Sequence, residues 1–334
     1  MAPAPLDQQP EHGKARRNIG DMVIDLNKDI ESAAKIISGF LDEPPVKVTP
    51  LIGKGSVNKV FIVEAGNYKV VVRMSERGEA LDEYEKEAWC IENAAARGVP
   101  GPSVLTVGRY KSNAYIVQSY IAGDEGRVSQ VPKRAIWREL GKYARKIHAI
   151  EAVGFGLKLS DMMQGDARKS WLRYLEYNIE SLTEDDQLIK LNVLTKSQSK
   201  IIKAIFADLK GREFIFGLNH GDISLKNTVV DEHGIVNLLD WGSAEGNIVP
   251  HHDLIQMLKM KMLENAPNDE EIQAFLDGYG IAQSEFERMM PELESLLLLR
   301  AFDKLRWAVD WHVKELDGFI SHARDAVKRC LARN

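Results

Sequence analysis

The pattern of apolar residues changes once along the chain, and this change restricts the possible folds more than any other feature. Runs rich in β-branched residues, separated by short turns, occupy most of the stretch from Val46 to Gly123. Beyond Gly123 the apolar residues recur mainly at helical spacing. Strand signals in one half followed by helix signals in the other predict an α+β protein, with an antiparallel sheet before a mainly helical region.

Five short runs in the first half predict the strands of this sheet. They are VKVTPLI, KVFIVEA, NYKVVVRM, SVLTVGRY and NAYIVQSYIAG. One helix should precede the sheet and end before Pro44, and a second, closed by Gly98 and Pro100, should lie between the third and fourth strands. We therefore predict a flexible tail at 1–18, a β-rich lobe with its leading helix at 19–123, and a helical lobe at 124–334.

The composition excludes several classes of protein. A chain of 334 residues with 44% hydrophobic content is globular and long enough for two lobes. A formal charge of -5 gives no basic surface for nucleic acid or an anionic membrane. Cys90 and Cys330 are too few for a disulfide framework or a zinc site, and the longest aliphatic run, Leu296–Leu299, is too short to span a bilayer. We expect a cytoplasmic protein with no nucleic-acid or membrane partner.

One segment, LNHGDISLKNTVVDEHGIVNLLDWGSAE, carries the strongest chemical signal. The runs TVV and IVNLLDW flank DEHG, which predicts a β-hairpin, so that Asp222 and Asn227 precede the hairpin and Asp240 lies at its far end. Magnesium prefers such carboxylate and amide oxygens. The stretch HGDISLKN also matches the kinase pattern H-R-D-x-x-x-x-N, in which an Asp acts as base and an Asn binds metal. The segment therefore indicates phosphoryl transfer from a nucleotide.

With these motifs the sequence resembles the aminoglycoside phosphotransferase family, small-molecule relatives of the protein kinases. The stretch GFG at 154–156 and the segment around Trp171 resemble its hygromycin phosphotransferase branch. The resemblance implies a bilobal, protein-kinase-like fold. It also implies Asp222 as the catalytic base, Asn227 and Asp240 as ligands of Mg²⁺, and ATP or GTP as co-substrate.

The resemblance further implies a nucleotide site in the first half. Arg73 occupies the position of the phosphate-binding lysine of protein kinases, and Glu87 is its partner on the following helix. Lys69, four positions back on the same strand face, is the alternative phosphate contact. The carbonyl of Ser119 and the amide of Ile121 would meet the adenine.

A glycine-containing loop between the first two strands completes this predicted site. Its candidate phosphate contacts are Gly53, Gly55, Ser56 and Asn58. Asn58 stands at the third glycine position of the G-x-G-x-x-G pattern, so the contacts of this loop stay open. Without the surrounding motifs, two glycines between strands would indicate an ordinary hairpin.

Acidic and aromatic residues near the C-terminus are candidates for acceptor binding. Asp303, Trp307, Asp310 and Trp311 follow each other at helical spacing, which predicts a shared face. Carboxylates and indole faces suit an amino sugar, so Asp303 and Trp307 are predicted contacts of an aminoglycoside or aminocyclitol, with a hygromycin-like compound preferred. Alternatively the tryptophans belong to the core, and the acceptor is a macrolide, a choline-like alcohol, a sugar or an amino acid.

Other functions fit the sequence less well. No A-P-E motif follows Asp240, so a protein substrate is not expected. A nucleotide-binding pseudokinase should lack the base or a metal ligand, whereas this chain has all three residues. A metal-dependent hydrolase would need a second cluster, for which His251 and His252 beside Asp253 are the candidates. We interpret these three as structural, with Asp253 bracing the helical lobe, and His220 as a packing residue of the loop.

Overall fold

The computed structural model describes residues 19–51 and 58–333. The predicted tail and the loop residues Gly53, Gly55 and Ser56 lie outside these ranges. The described residues form two compact units. We call residues 19–51, 58–128 and 228–242 the sheet unit, and residues 129–227 and 243–333 the helical unit. The predicted α+β class, with an antiparallel sheet before a helical region, is confirmed.

The sheet unit is built on five antiparallel strands in the order β1-β2-β3-β5-β4. They are β1 (Lys47–Pro50), β2 (Lys59–Ala65), β3 (Tyr68–Ser75), β4 (Val104–Tyr110) and β5 (Asn113–Ser119). A two-residue strand, β6 (Asp124–Glu125), follows. Along β3 the side chains of Val70, Val72 and Met74 are buried and alternate with more exposed ones, as expected for a strand with one face on the core. The five predicted strands are therefore all present.

Two helices cover this sheet. Helix α1 (Ile19–Leu41) packs Ala33, Ile36 and Ile37 against the buried residues of β2 and β3. Helix α2 (Ala80–Ala96) buries Tyr84 with residues of β5. Its C-terminus is closed at Gly98, whose positive φ of 71° favours glycine, and whose N–H donates to the Ala95 carbonyl. Local signals thus determine where α2 ends.

Helices dominate the helical unit. They are α3 (Lys133–His148), α4 (Leu159–Met163), α5 (Ala167–Ser181), α6 (Gln187–Lys190), α7 (Lys196–Leu209), α8 (His251–Glu264), α9 (Asp269–Tyr279), α10 (Gln283–Asp310) and α11 (Leu316–Arg333). Helices α3 and α9 approach so closely that a Cβ added to Gly141 would lie 2.0 Å from the Phe275 carbonyl oxygen. In the described part of the chain, no helix has both the length and the apolar character needed to cross a membrane.

The chain between α7 and α8 contains the segment that the sequence singled out. Strand β7 (Ile215–Asn219) and strand β10 (Glu245–Val249) pair antiparallel within the helical unit. Between them, β8 (Thr228–Val230) and β9 (Val236–Leu238) form the predicted hairpin, which pairs with β6 in the sheet unit. The loop after β7 therefore starts in the helical unit, and the hairpin that follows belongs to the sheet unit.

Candidate active site

The loop after β7 makes a tight turn at Gly221. This residue has a positive φ of 78°, and a Cβ there would lie 2.2 Å from the Ser243 carbonyl oxygen. Only glycine fits this close approach without displacing the backbone. A short 3₁₀ turn at Leu225–Asn227 ends the loop. The loop conformation directs the Asp222 and Asn227 side chains toward each other.

Only one oxygen of the Asp222 carboxylate, Oδ2, has hydrogen-bond or ion-pair partners among the described residues. Its Oδ2 accepts a hydrogen bond from Asn227 Nδ2 at 2.8 Å and lies 3.2 Å from Lys226 Nζ. Asn227 Nδ2 also donates to the backbone carbonyl of Asp222 at 2.9 Å. Among the described residues none donates to Asp222 Oδ1, and the side chain is 31% exposed. One carboxylate oxygen is thus oriented and the other can accept a proton.

The loop backbone is held by a buried carboxylate on α8. Asp253 Oδ1 accepts from the Gly221 N–H at 2.8 Å, and Oδ2 accepts from the His220 N–H at 3.2 Å. His148 Nε2 lies 2.9 Å from the same Oδ2, and His148 Nδ1 lies 3.0 Å from the Tyr279 hydroxyl. Burial alone would raise the pKa of Asp253, but hydrogen bonding to His148 and nearby imidazoles lower it to about 2. The bracing role expected of Asp253 is confirmed.

The two histidines beside Asp253 have separate partners. His251 Nε2 lies 3.0 Å from a carboxylate oxygen of Glu292, whereas His252 Nε2 lies 2.9 Å from Glu245 Oε1. Glu245 is buried, and its pKa is lowered because the nearby His252 and Arg300 outweigh the effect of burial. The two imidazoles therefore brace different elements, as the structural interpretation of the sequence expected.

In the sheet unit, Arg73 and Glu87 form a bidentate ion pair. Arg73 lies on β3 and Glu87 on α2, and their nitrogen–oxygen distances are 2.5 and 3.2 Å. Burial alone would lower the pKa of Arg73, but attraction to Glu87 and Asp240 raises it above its ordinary value. The guanidinium therefore stays charged beside two carboxylates. The predicted contact between Arg73 and Glu87 is present, and nucleotide binding by the pair stays a prediction.

Asp240 follows β9 in an unusual backbone conformation. Its φ is +61°, a left-handed value that costs energy for any residue with a Cβ, and its side chain is exposed. Residues held in such conformations often lie at functional sites. Two residues further on, the carbonyl of Gly242 accepts a hydrogen bond at 2.6 Å from the buried Lys86 of α2. This bond, which the sequence did not predict, ties the end of the hairpin to the helix that carries Glu87.

Lys69, the alternative to Arg73, has other neighbours. Its ammonium lies 4.2 Å from the centre of the Tyr120 ring and 3.9 Å from Glu64. About half of its side chain is exposed. Arg73 is partly buried, with 14% of its side chain exposed, and Glu87 orients it, so we retain Arg73 as the candidate phosphate contact.

The predicted adenine contacts lie at the end of β5. Ser119 is the last residue of the strand, where its Oγ accepts from the Ser103 N–H at 2.9 Å. Ile121 follows in a half-buried position, and Asn58, directly before β2, is also half-buried. Their positions alone do not establish nucleotide binding, so the assignments of Ser119, Ile121 and Asn58 stay predictions.

The C-terminal residues proposed for the acceptor do not share one exposed face. Asp303 and Trp307 are buried in α10, whereas Asp310 is exposed and Trp311 is 52% exposed. The Trp311 N–H still donates to the Trp307 carbonyl, so the residue follows the helical spacing, but the end of α10 is exposed whereas Asp303 and Trp307 are covered. Burial of Trp307 agrees with the alternative that it belongs to the core. Acceptor contact by Asp303 stays a prediction.

The residues that resemble the hygromycin branch form an aromatic cluster. The Phe155 ring centre lies 5.7 Å from those of both Trp171 and Tyr174, and the last two are 5.8 Å apart. Gly156 bridges to Gly246 of β10, so the cluster is fixed to the strand that follows the hairpin. Within the helical unit, the segment after α3 is therefore packed against α5 and paired with β10.

Fold and site together define a kinase-type phosphotransferase that acts on small molecules. Its sheet unit pairs an arginine with a helix glutamate, and its helical unit orients an aspartate in a kinase-like loop. Residues 48–292 match the phosphotransferase enzyme family, APH, and the chain belongs to this family. No curated protein sequence is similar enough to match the chain.

Solved structures share the fold across nearly the whole chain. Aminoglycoside phosphotransferase APH(4)-Ia superposes with a TM-score of 0.63 at 18% identity, covering 91% of this chain and 97% of that one. Spectinomycin phosphotransferase APH(9)-Ia, solved with ADP and spectinomycin, gives 0.57 at 13% identity, covering 91% and 98%. LicA, solved with AMP, gives 0.58 at 16% identity, covering 92% and 99%. At these identities the likeness establishes the fold.

Proposed function

We propose that this protein transfers the γ-phosphoryl group of ATP or GTP to a hydroxyl of a small molecule, with Asp222 as the catalytic base. The observation that carries the proposal is the Asp222 carboxylate, whose Oδ2 is held while Oδ1 has no donor among the described residues. A base needs an oriented, accessible oxygen to accept a hydroxyl proton. Membership of the phosphotransferase family supports the reaction class.

In the proposed reaction the acceptor oxygen attacks the γ-phosphorus while its proton moves to Asp222 Oδ1. The bond from phosphorus to the bridging oxygen breaks, and the nucleoside diphosphate leaves with the electron pair. Arg73 binds nucleotide phosphate, and Glu87 positions its guanidinium through two hydrogen bonds. Asp222 also orients the acceptor hydroxyl before transfer.

Asn227 and Asp240 are the proposed ligands of Mg²⁺. Asn227 donates to both oxygens of Asp222 that it contacts through Nδ2, which leaves its own carbonyl oxygen for a cation, and Asp240 carries an exposed carboxylate. Both groups are oxygen ligands of the type that Mg²⁺ prefers, so the residues fit the ion. When bound, the ion would neutralise charge on the nucleotide phosphates.

For the acceptor we propose an aminoglycoside or aminocyclitol, with a hygromycin-like compound preferred. A variant of APH(4)-Ia, which has the same fold as this chain at a TM-score of 0.63, was solved with AMP-PNP and hygromycin B. The spectinomycin phosphotransferase supports the same class of acceptor. A macrolide, choline-like, sugar or amino-acid hydroxyl is the alternative. The missing A-P-E motif argues against a protein substrate.

The test incubates the purified protein with ATP or GTP, Mg²⁺ and a panel of hydroxyl compounds, and detects products by mass spectrometry. We expect one acceptor class to gain a single phosphoryl group. If only neutral hydroxy compounds react, the amino-sugar assignment is wrong while the kinase assignment stands. If no compound reacts and no nucleotide binds, the proposed function is wrong.

The matched variants are Asp222→Asn and Asp208→Asn. Each aspartate has a basic partner four residues along the chain, Lys226 at 3.2 Å for Asp222 and Arg212 at 3.0 Å for Asp208. We expect Asp222→Asn to abolish turnover and Asp208→Asn to leave it unchanged. Equal activity of the two variants would contradict the assignment of the base.

A further inference from the structure

Lys226 has no role in the mechanism described above, although its ammonium lies beside the proposed base. Its Nζ is 3.2 Å from Asp222 Oδ2, and 48% of its side chain is exposed. It is the only lysine or arginine in residues 220–227. The 3₁₀ turn at Leu225–Asn227 brings it back to the carboxylate four residues earlier.

We propose that Lys226 is a further catalytic residue, whose ammonium binds the γ-phosphoryl group during transfer and stabilises the charge on its oxygens. The proposal rests on the proposed function, because it needs a nucleotide as phosphoryl donor. Phosphoryl transfer depends on cations near the equatorial oxygens, where charge is spread in the transition state. An ammonium suits this task as a compact charge with three donors.

Stabilisation of the loop does not account for Lys226. Asn227 Nδ2 already holds both the Oδ2 and the backbone carbonyl of Asp222, and Asp253 holds the amides of His220 and Gly221. An ion pair with a half-exposed lysine adds little to this, because water screens the attraction. The same exposure leaves room for a second anion beside the ammonium.

The change of charge during the reaction distinguishes Lys226 from Arg73. Glu87 and Asp240 counter the charge of Arg73, and neither takes a proton in the proposed mechanism. Asp222, the partner of Lys226, becomes neutral when it takes the proton from the acceptor hydroxyl. At that point the ammonium loses its counter-charge while the phosphoryl oxygens remain anionic. Lys226 itself neither gains nor loses a proton, so its attraction shifts from Asp222 to the phosphoryl group.

Kinetics of Lys226→Met and Lys226→Arg test the proposal. Removing one preorganised donor to transition-state charge lowers kcat by roughly 10²-fold, so we expect a loss of this order for the methionine variant. The KM for nucleotide should change by less than about threefold, because the interaction forms mainly in the transition state. Lys226→Arg should recover much of the rate, since the positive charge is kept.

Lys142→Met is the matched control. Lys142 lies on α3 with 51% of its side chain exposed, and it pairs with Glu139 at 2.6 Å. The Lys142→Met variant therefore loses an ion pair of similar exposure in the same unit. We expect wild-type kcat for this variant, and wild-type thermal unfolding for both methionine variants. Equal kcat for Lys226→Met and Lys142→Met would overturn the proposal.

A binding measurement separates charge stabilisation from a structural effect. ADP with Mg²⁺ and aluminium fluoride mimics the transferring phosphoryl group, whereas ADP with Mg²⁺ alone does not. We expect Lys226→Met to weaken the aluminium fluoride complex about tenfold or more and to leave the affinity for ADP unchanged. Equal weakening of both complexes would assign Lys226 to the loop structure and overturn the proposal. Absence of nucleotide binding by the wild type would instead refute the proposed function, and this inference with it.

Discussion

The two units hold their reactive groups by different physical means. In the sheet unit, Arg73 and Glu87 project from a strand and a helix, and each holds the other through two short ion-pair contacts. In the helical unit, Asp222 lies in a loop, and hydrogen bonds to the backbone of that loop hold it in position. A side chain on a regular element needs one partner, whereas a side chain in a loop needs a fixed backbone first.

The loop obtains this fixed backbone from residues far away in the sequence. Asp253 lies 33 residues after His220 and 32 residues after Gly221, whose amides it binds, and 105 residues after His148. Asp253 is 1% exposed, so its charge is strongly felt by these donors. We infer that the loop loses its geometry when the buried carboxylate loses its charge, while the Arg73–Glu87 pair does not depend on that carboxylate.

The largest effect is expected from removing the base in the helical unit. Asp222→Ala should lower kcat by about 10²-fold to 10⁴-fold, because proton transfer to a positioned base contributes this much. Nucleotide binding, measured by calorimetry, should persist. Asp240→Ala should lose turnover to a similar extent, and its nucleotide affinity in Mg²⁺ should also fall. A variant at Asp222 with half of the wild-type turnover would refute its assignment as base.

A smaller effect, on stability, should follow acidification through Asp253. Its pKa of about 2 in the folded protein lies below the ordinary 3.8, so its stabilisation is present above pH 4 and is lost as the pH falls from 4 toward 2. The shift corresponds to about 2 kcal/mol of unfolding free energy. Urea unfolding of wild type and Asp253→Asn at pH 7 and pH 3 measures it. The difference in unfolding free energy between wild type and Asp253→Asn should be smaller at pH 3 than at pH 7. An equal difference at both pH values would contradict stabilisation by the Asp253 charge.

In the sheet unit, the effect of an Arg73 variant on nucleotide binding should depend on whether the new side chain can form two parallel hydrogen bonds to phosphate. Arg73→Ala should raise the nucleotide KM about tenfold and also depress kcat, whereas Arg73→Lys should be milder because the charge survives. Initial rates at varied ATP concentration give both constants. Glu87→Gln serves as the comparison, since it removes the negative charge of the partner and keeps the guanidinium. Identical constants for the wild type and Arg73→Ala would exclude Arg73 as a phosphate contact.

The smallest effect is expected at Lys69. Its half-exposed ammonium lies over the Tyr120 ring, so Lys69→Ala should change the nucleotide KM by less than about twofold. The same ATP titration measures it. A larger change at Lys69 than at Arg73 would shift the phosphate contact four residues back along β3.

The sequence by itself determined the elements and the order of the chemical groups. The β-branched runs predicted all five strands, and Gly98 marked the end of α2, because strand alternation and helix termination depend on neighbouring residues. The spacing of five residues between Asp222 and Asn227 likewise predicted their shared loop, where the two side chains now touch. The pairing of Arg73 with Glu87 was implied by the family resemblance, on a strand and a helix that their local patterns predicted.

Only the tertiary structure decided which groups support the loop and which acceptor candidates are buried. The contacts of Asp253 with His148 and the loop amides join segments whose separation leaves no local signal. The approach of Lys226 to Asp222 depends on the 3₁₀ turn, although its spacing of four residues offered a hint. Trp307 is buried and Trp311 is half exposed although both follow helical spacing, because burial depends on which other elements cover that part of the helix.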